Sequence, residues 1–217
     1  MDRLKHRLPH IKFKRPPMTF IFDLDGTLFN TRKGNCDFYE SILGRQMTDL
    51  EAQYCFTHSM PDSIRILFGD KAPEAMETIG QIGVGKMVDG AVPEKNAIGA
   101  LIALKRKGYR LALNSNRTTA VKALLSKWDI GDLFDMVVTS LDVEKGKPDP
   151  EGCLKIMSVL GGDAVYVGDS DIDMQVAEKA GIPFIRYGVD ITDMMEVTDG
   201  LREEETPERE VGRGIDG

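Results

Sequence analysis

The chain has 217 residues, with 28 basic and 35 acidic side chains and a formal net charge of −7. That length fits one ordinary domain, or one domain with a small insert, and can bury a sizeable core. The acidic balance argues against nucleic acid or an anionic membrane as the main partner.

Residues 1–17 are basic and broken by proline, and read as a solvated tail in which only 11–14 alternate like a short strand. Residues 18–24 form a continuous apolar run, the pattern of a strand buried on both faces. Residues 31–92 then show helical periodicity without a strand run. Phe38, Ile42 and Leu43 mark one helix there; Ile64, Leu67 and Phe68 mark another, with Ser59 as its N-cap before Pro61. This segment reads as a helical insert between the first and second core strands.

Strand and helix patterns alternate after the insert. Residues 94–107 place Ala97, Leu101 and Leu104 on one helical face and stop at Gly108. Residues 109–114, 136–139 and 164–168 are buried strand runs, and 183–187 is a shorter one. Between them, 118–128 groups Val121, Leu124, Leu125 and Trp128 on one face. A further helix is expected from Asp149 as N-cap and Pro150 just inside, ending at Gly161; another runs over 171–180 to Gly181. Such alternation implies an α/β fold with right-handed crossovers and a parallel sheet. The expected division is a basic tail at 1–17, a core at 18–30 and 93–190, the helical insert at 31–92, and an acidic tail at 191–217.

Cys36, Cys55 and Cys153 are far apart, with no Cys-x-x-Cys pair. Neither a disulfide framework nor a zinc site is expected, and a reducing, cytoplasmic setting fits. No signal-peptide or membrane-spanning apolar stretch is legible.

Four polar clusters sit at predicted strand ends or helix starts, where ligands of open parallel sheets bind. The first, Asp23-Leu24-Asp25-Gly26-Thr27-Leu28, puts two carboxylates two residues apart. Alone it could be an acidic turn, but like charges side by side are costly without a compensating cation. The second, Leu113-Asn114-Ser115-Asn116, offers a hydroxyl and an amide that can donate to phosphate oxygens; such residues also end strands for purely local reasons. The third runs from Lys145 to Pro150 and supplies a compact positive charge. The fourth, Val167 to Asp173, crowds Asp169, Asp171 and Asp173 into one loop, which suits magnesium; an N-cap and acidic first turn are its plainer explanation.

Together, DLDGTL, LNSN, KPDP and GDSDID resemble the four motifs of the haloacid dehalogenase superfamily, over roughly residues 18–188. The resemblance points to the branch with a helical cap after the first motif, the phosphoglycolate-phosphatase-like group. It implies a Rossmann-like, doubly wound parallel sheet with a small helical cap at 31–92. It also implies a magnesium-dependent phosphatase acting on a small phosphomonoester. Asp23 matches the nucleophile that becomes an aspartyl-phosphate, and Asp25 the general acid/base. Ser115, Asn116 and Lys147 match the phosphoryl-binding positions; Lys145 is two positions off and reads as surface. Magnesium would be held by the Asp23 side chain, the Asp25 backbone carbonyl and Asp169. Thr27, Ser170 and Asp173 fall in supporting positions.

Elementary chemistry agrees with those roles. A carboxylate attacking a phosphate dianion is repelled unless a divalent cation bridges the two. A Lys and nearby donors then stabilise the charge on the equatorial oxygens.

The sequence also departs from the family pattern. Phe29-Asn30-Thr31 stands where many relatives carry an Asp-Ser pair, the cap is short, and the usual late strand is missing after Tyr187. The other activities of the superfamily fit less well. A dehalogenase is expected to have a non-acidic residue at position 25. A sugar-phosphate mutase of the beta-phosphoglucomutase kind would use Asp25 too. A phosphonate-cleaving relative would need a cap lysine such as Lys33, Lys71 or Lys86. A non-catalytic binding module should have lost Asp23, Asp25, Lys147 or Asp169.

Overall fold

A computed structural model describes residues 16–118, 120–199 and Leu201. Its sheet has five parallel strands: β1 (Thr19–Phe22), β4 (Arg110–Asn114), β5 (Met136–Val138), β6 (Ala164–Gly168) and β7 (Phe184–Arg186), in the order β5-β4-β1-β6-β7. The central strand β1 pairs with β4 through Phe22↔Leu113 and with β6 through Phe22↔Val167. Its carboxyl end, and hence Asp23, therefore lies at the middle of the sheet edge.

The continuous apolar runs are explained by two cores, one on each face. Phe20 and Phe22 join Leu111, Leu113, Val165 and Val167 on one face, packed by α6 (Ala97–Arg106) and α7 (Ala120–Lys127). Ile21 lies with Ala112 and Tyr166 on the other, packed by α8 (Glu151–Leu160) and α9 (Asp171–Ala180). Successive residues of a strand point to opposite faces, so a strand covered on both sides must be apolar throughout. This is the Rossmann-like, doubly wound arrangement expected.

The insert contains α1 (Arg32–Leu43), α2 (Asp49–Thr57), α3 (Met60–Phe68), α4 (Ala72–Ile82) and α5 (Gly85–Asp89). These helices share a separate apolar cluster built on Phe38, Tyr39, Cys55, Ile64, Ala75, Ile79 and Met87. Ser59 caps α3, its side chain accepting from the Asp62 N–H, with Pro61 inside the first turn. The two chain crossings at the insert are bonded to each other: β2 (Phe29–Asn30) runs antiparallel to β3 (Val92–Pro93), pairing Asn30↔Val92.

Three expectations need correction. Residues 191–199 are not a tail. Ile191, Met194 and Val197 are fully buried in the core, and α10 (Glu196–Asp199) closes the segment. The Asn96 amide donates to the Asp193 carboxylate at 2.9 and 3.1 Å, which ties the segment to the start of α6. Those apolar residues recur three apart, a helical spacing hidden by the acidic residues between them. The cap of α8 is Pro150, not Asp149, although Asp149 Oδ1 accepts from the Glu151 N–H. Finally, α6 begins at Ala97, because Asn96 takes a left-handed conformation with φ 57°. The basic segment through Arg15 and the acidic stretch from Glu203 lie outside the described residues. All three cysteines are free, with Cys55 and Cys153 buried and Cys36 half-buried.

Candidate active site

The sheet edge brings the four polar clusters to one cavity, of about 720 Å³ counted out to its open mouth. Asp23, Asp25, Asn116, Lys147, Asp169 and Ser170 line it from the core.

Asp23 sits one residue past β1, where its N–H donates to the Val167 carbonyl at 2.9 Å. Its side chain is buried, and Lys147 Nζ lies 2.5 Å from Asp23 Oδ1 and 2.6 Å from Asp173 Oδ1. Burial first, then the Asp173 carboxylate, drive the Asp23 pKa well above the usual carboxylate value, with Lys147 opposing. For Lys147 burial works against the charge, but Asp173 and Asp23 outweigh it and hold the ammonium well above its ordinary value.

Asp169 follows β6. Thr27 donates to its Oδ1 at 3.0 Å. Gly26 makes this approach feasible: it has φ +80°, and a Cβ there would fall 2.5 Å from Asp169 Oδ2. Burial, then Asp173, push the Asp169 carboxyl up to about 6, with the Thr27 hydrogen bond opposing. Asp173 is fully buried and forms a capping box with Ser170, whose hydroxyl donates to Asp173 Oδ2 at 2.5 Å.

One carboxylate oxygen from each of Asp23, Asp169 and Asp173 lies within 4.8 Å of the others. Three hard oxygen donors crowded together fit the donor chemistry of a divalent cation such as magnesium. The expected magnesium ligands were Asp23, Asp25 and Asp169. The cluster includes the side chains of Asp23 and Asp169; the expected contribution of Asp25 is its backbone carbonyl, and its side chain is engaged by other partners. Arg117 Nε donates to both Asp25 oxygens, at 2.8 and 2.7 Å, and the Thr31 hydroxyl donates to Oδ1.

The second and third clusters divide their work. Ser115 is buried after β4, and its Oγ accepts from the Arg117 N–H at 3.1 Å. The Asn116 side chain is engaged with the chain that carries Lys147: Nδ2 donates to the Lys147 carbonyl at 2.9 Å, and Oδ1 accepts the Lys147 N–H at 2.7 Å. Its amide thus positions Lys147, where sequence reasoning expected it to donate to phosphate. Lys145 is exposed, as expected. Asp171 is exposed and pairs with Arg186.

Several residues in or behind the cavity wall were not anticipated. Arg117 follows the second cluster directly, so the sequence signal was an arginine adjoining a ligand loop. Thr31, one of the residues that departs from the family pattern, bonds Asp25. Asn35 and Tyr39 on α1, His58 and Met60 at the α2–α3 corner, and Met87 on α5 close the cavity from the insert. No helix among the described residues is long and apolar enough to cross a membrane.

Comparison with known proteins agrees with this geometry. The family profile described as haloacid dehalogenase-like hydrolase matches residues 20–187. The chain is 28% identical over 177 residues to the pyrophosphatase PpaX of Halalkalibacterium halodurans, spanning 76% of this chain and 80% of that protein. It is 27% identical over 188 residues to a phosphoglycolate phosphatase of Rhodobacter capsulatus, spanning 77% of this chain and 82% of that one. A solved HAD-superfamily hydrolase of subfamily IA from Geobacter sulfurreducens superposes with a TM-score of 0.70 at 26% identity, over 84% of this chain and 95% of that one. With the fold, the strand-end carboxylates and a profile match across most of the chain in agreement, the protein belongs to the haloacid dehalogenase-like hydrolase family.

Proposed function

We propose that the chain is a magnesium-dependent phosphatase that hydrolyses a small phosphomonoester through an aspartyl-phosphate on Asp23. The observation that carries this reading is the buried Asp23 carboxylate within one cluster of Asp169, Asp173 and Lys147. The named relatives, a pyrophosphatase and a phosphoglycolate phosphatase, supply the reaction class.

Asp23 and Asp169, with the Asp25 backbone carbonyl, would hold the cation. When bound it neutralises the repulsion between the Asp23 carboxylate and the phosphoryl oxygens. The chain's own groups do the rest. Asp23 attacks phosphorus, and the leaving oxygen departs with a proton from Asp25. Asp25 then takes a proton from the water that attacks the aspartyl-phosphate, which regenerates Asp23 and releases phosphate. Lys147, steadied by Asp173 and by the Asn116 amide, offers an ammonium to the equatorial oxygens, and Ser115 holds the phosphoryl group. Thr27 orients Asp169, and Ser170 orients Asp173.

Residues 31–92 act in this account as a cap that selects the ester. Their hinges lie at 30–32 and 90–93, beside the paired strands β2 and β3. Closure places Tyr39, His58 and Met87 over the leaving group and leaves little room for a polymer. The test is a panel of phosphoglycolate, sugar phosphates, nucleotides and pyrophosphate, with and without Mg²⁺. The expected result is phosphate release from a small member of the panel, lost in EDTA and restored by Mg²⁺. Full activity in excess EDTA would exclude the reading.

A further inference from the structure

Arg117 carries more donors than its partners use. Nε serves both Asp25 oxygens, and Nη2 reaches Asp25 Oδ1 and Asn35 Oδ1, each at 2.7 Å. Nη1 bears two further N–H groups. It meets the Met87 thioether at 3.5 Å, a weak acceptor. The side chain is 13% exposed, and that exposed part faces the cavity whose wall it forms.

The second cation of the cavity, Lys147, sits on Asp23 and Asp173 and serves the transferring phosphoryl group in this reading, which leaves Arg117 for a second anion. A compound with a single phosphoryl group and a neutral leaving group has no use for Arg117. Moreover, while the guanidinium grips both oxygens of Asp25, that carboxylate is not free to face a leaving-group oxygen. The Thr31 hydroxyl, also on Asp25, can keep the carboxylate in place when Arg117 lets go.

We propose that Arg117 is the receptor for a second anionic group on the substrate, and that Asp25 occupies it until that group arrives. The inference deepens the phosphatase reading and rests on it. The guanidinium fork matches a carboxylate or a phosphoryl group in two parallel hydrogen bonds. An incoming anion takes over the fork, satisfies Nη1, and releases Asp25 toward the leaving oxygen. A neutral leaving group does none of these, so it leaves the ion pair with Asp25 closed. The substrate class is therefore a small phosphoryl compound bearing a carboxylate or a second phosphoryl group close to the bond that breaks. Asn35 on α1 and Met87 on α5 frame the same guanidinium, which makes the insert part of this selection.

The test uses the full chain with Mg²⁺ and measures kcat/KM for phosphoglycolate, its neutral isostere phosphoglycolamide, pyrophosphate and phenyl phosphate. The wild type is expected to favour the doubly anionic compounds by about 100-fold or more, as sites built around a buried polar group do. Arg117→Gln should lose most of that preference, chiefly through KM, with kcat/KM falling much further for phosphoglycolate than for phosphoglycolamide. Arg117→Lys keeps the charge but not the fork, and should recover only part of the preference. If the Gln variant unfolds, the Lys variant carries the comparison and must lose at least about tenfold. A binding readout complements the rates. In an Asp23→Asn background, calorimetry should detect phosphoglycolate or pyrophosphate, and adding Arg117→Gln should abolish it. Preference for phosphoglycolate alone identifies a carboxylate as the second group; preference for pyrophosphate alone identifies a phosphoryl group. An equal loss on phosphoglycolate and phosphoglycolamide would overturn the proposal, since Arg117 would then only position Asp25. Turnover of phenyl phosphate without any preference for the doubly anionic compounds would overturn it too, yet leave the phosphatase reading intact. Failure on all four compounds would remove both.

Discussion

Lys147 and Asp173 form an ion pair at 2.6 Å, with 7% and 0% of their side chains exposed. Lys147 also touches Asp23 at 2.5 Å, so one ammonium holds two buried carboxylates. Removing it strands both. Lys147→Met is expected to cost about 3–5 kcal/mol of folding stability at pH 8, the usual penalty for orphaning a buried charge. The penalty should be smaller at pH 5, because Asp23, whose pKa burial raises, takes up a proton more readily there. Denaturant midpoints at the two pH values check this. A loss below about 1 kcal/mol at both would mean that the pair does not matter to the fold.

Asp23→Asn removes a carboxylate that burial and three other carboxylates disfavour, and leaves Lys147 its partner Asp173. The variant should therefore melt no lower than the wild type. Its turnover should fall by at least about a thousandfold, because the nucleophile is gone. Retention of a tenth of the wild-type rate would exclude covalent catalysis at this residue.

The raised Asp169 carboxyl, at about 6, sets the pH behaviour of cation binding. Below that value the folded chain holds a proton there that a cation must displace. Apparent Mg²⁺ affinity should then fall by about tenfold per pH unit below 6 for one proton, and more steeply if Asp23 also binds one. The cation-free protein should show the matching linkage. The folded state keeps a proton that an unfolded Asp releases near 3.8, so this group lowers stability as pH rises from there to about 6. Isothermal titration with Mg²⁺ between pH 5 and 8 measures the first effect, and a pH-independent affinity would contradict it.

Gly34 on α1 and Gly90 beside α5 meet backbone to backbone, and a Cβ at Gly90 would fall 2.5 Å from Gly34 Cα. Gly90→Ala should force the two helices apart and cost about 1–3 kcal/mol by overpacking. Because α1 and α5 carry Asn35 and Met87 into the cavity, KM should rise with it. Thermal melts and steady-state kinetics report the two effects. A variant with wild-type stability and KM would show that the contact is slack.

The strands were legible because both sheet faces are covered, which turns each strand into an unbroken apolar run such as 18–24. Asp23 and Asp169 were legible because they end those runs. Directions of side chains were not. Nothing in LNSNR says that Arg117 turns back to Asp25, or that Asn116 spends its amide on the Lys147 backbone, because both partners are brought up by other loops. Residues 191–199 were read as tail because composition there is acidic, while their buried residues are spaced for a helix and a turn. The insert's lining residues, such as Tyr39 and Met87, look like ordinary core positions and become cavity walls only through packing.

The account turns on a phosphoryl group being carried by Asp23. Asp25→Asn should still allow the first displacement from an ester with a good leaving group, such as p-nitrophenyl phosphate, but stall hydrolysis of the intermediate. Intact mass spectrometry of that variant after incubation with the ester and Mg²⁺ is the direct measurement. The expected result is a gain of one phosphoryl group, mapped to Asp23 and discharged by hydroxylamine. A gain at any other residue, or none while the wild type turns the same ester over, would contradict it.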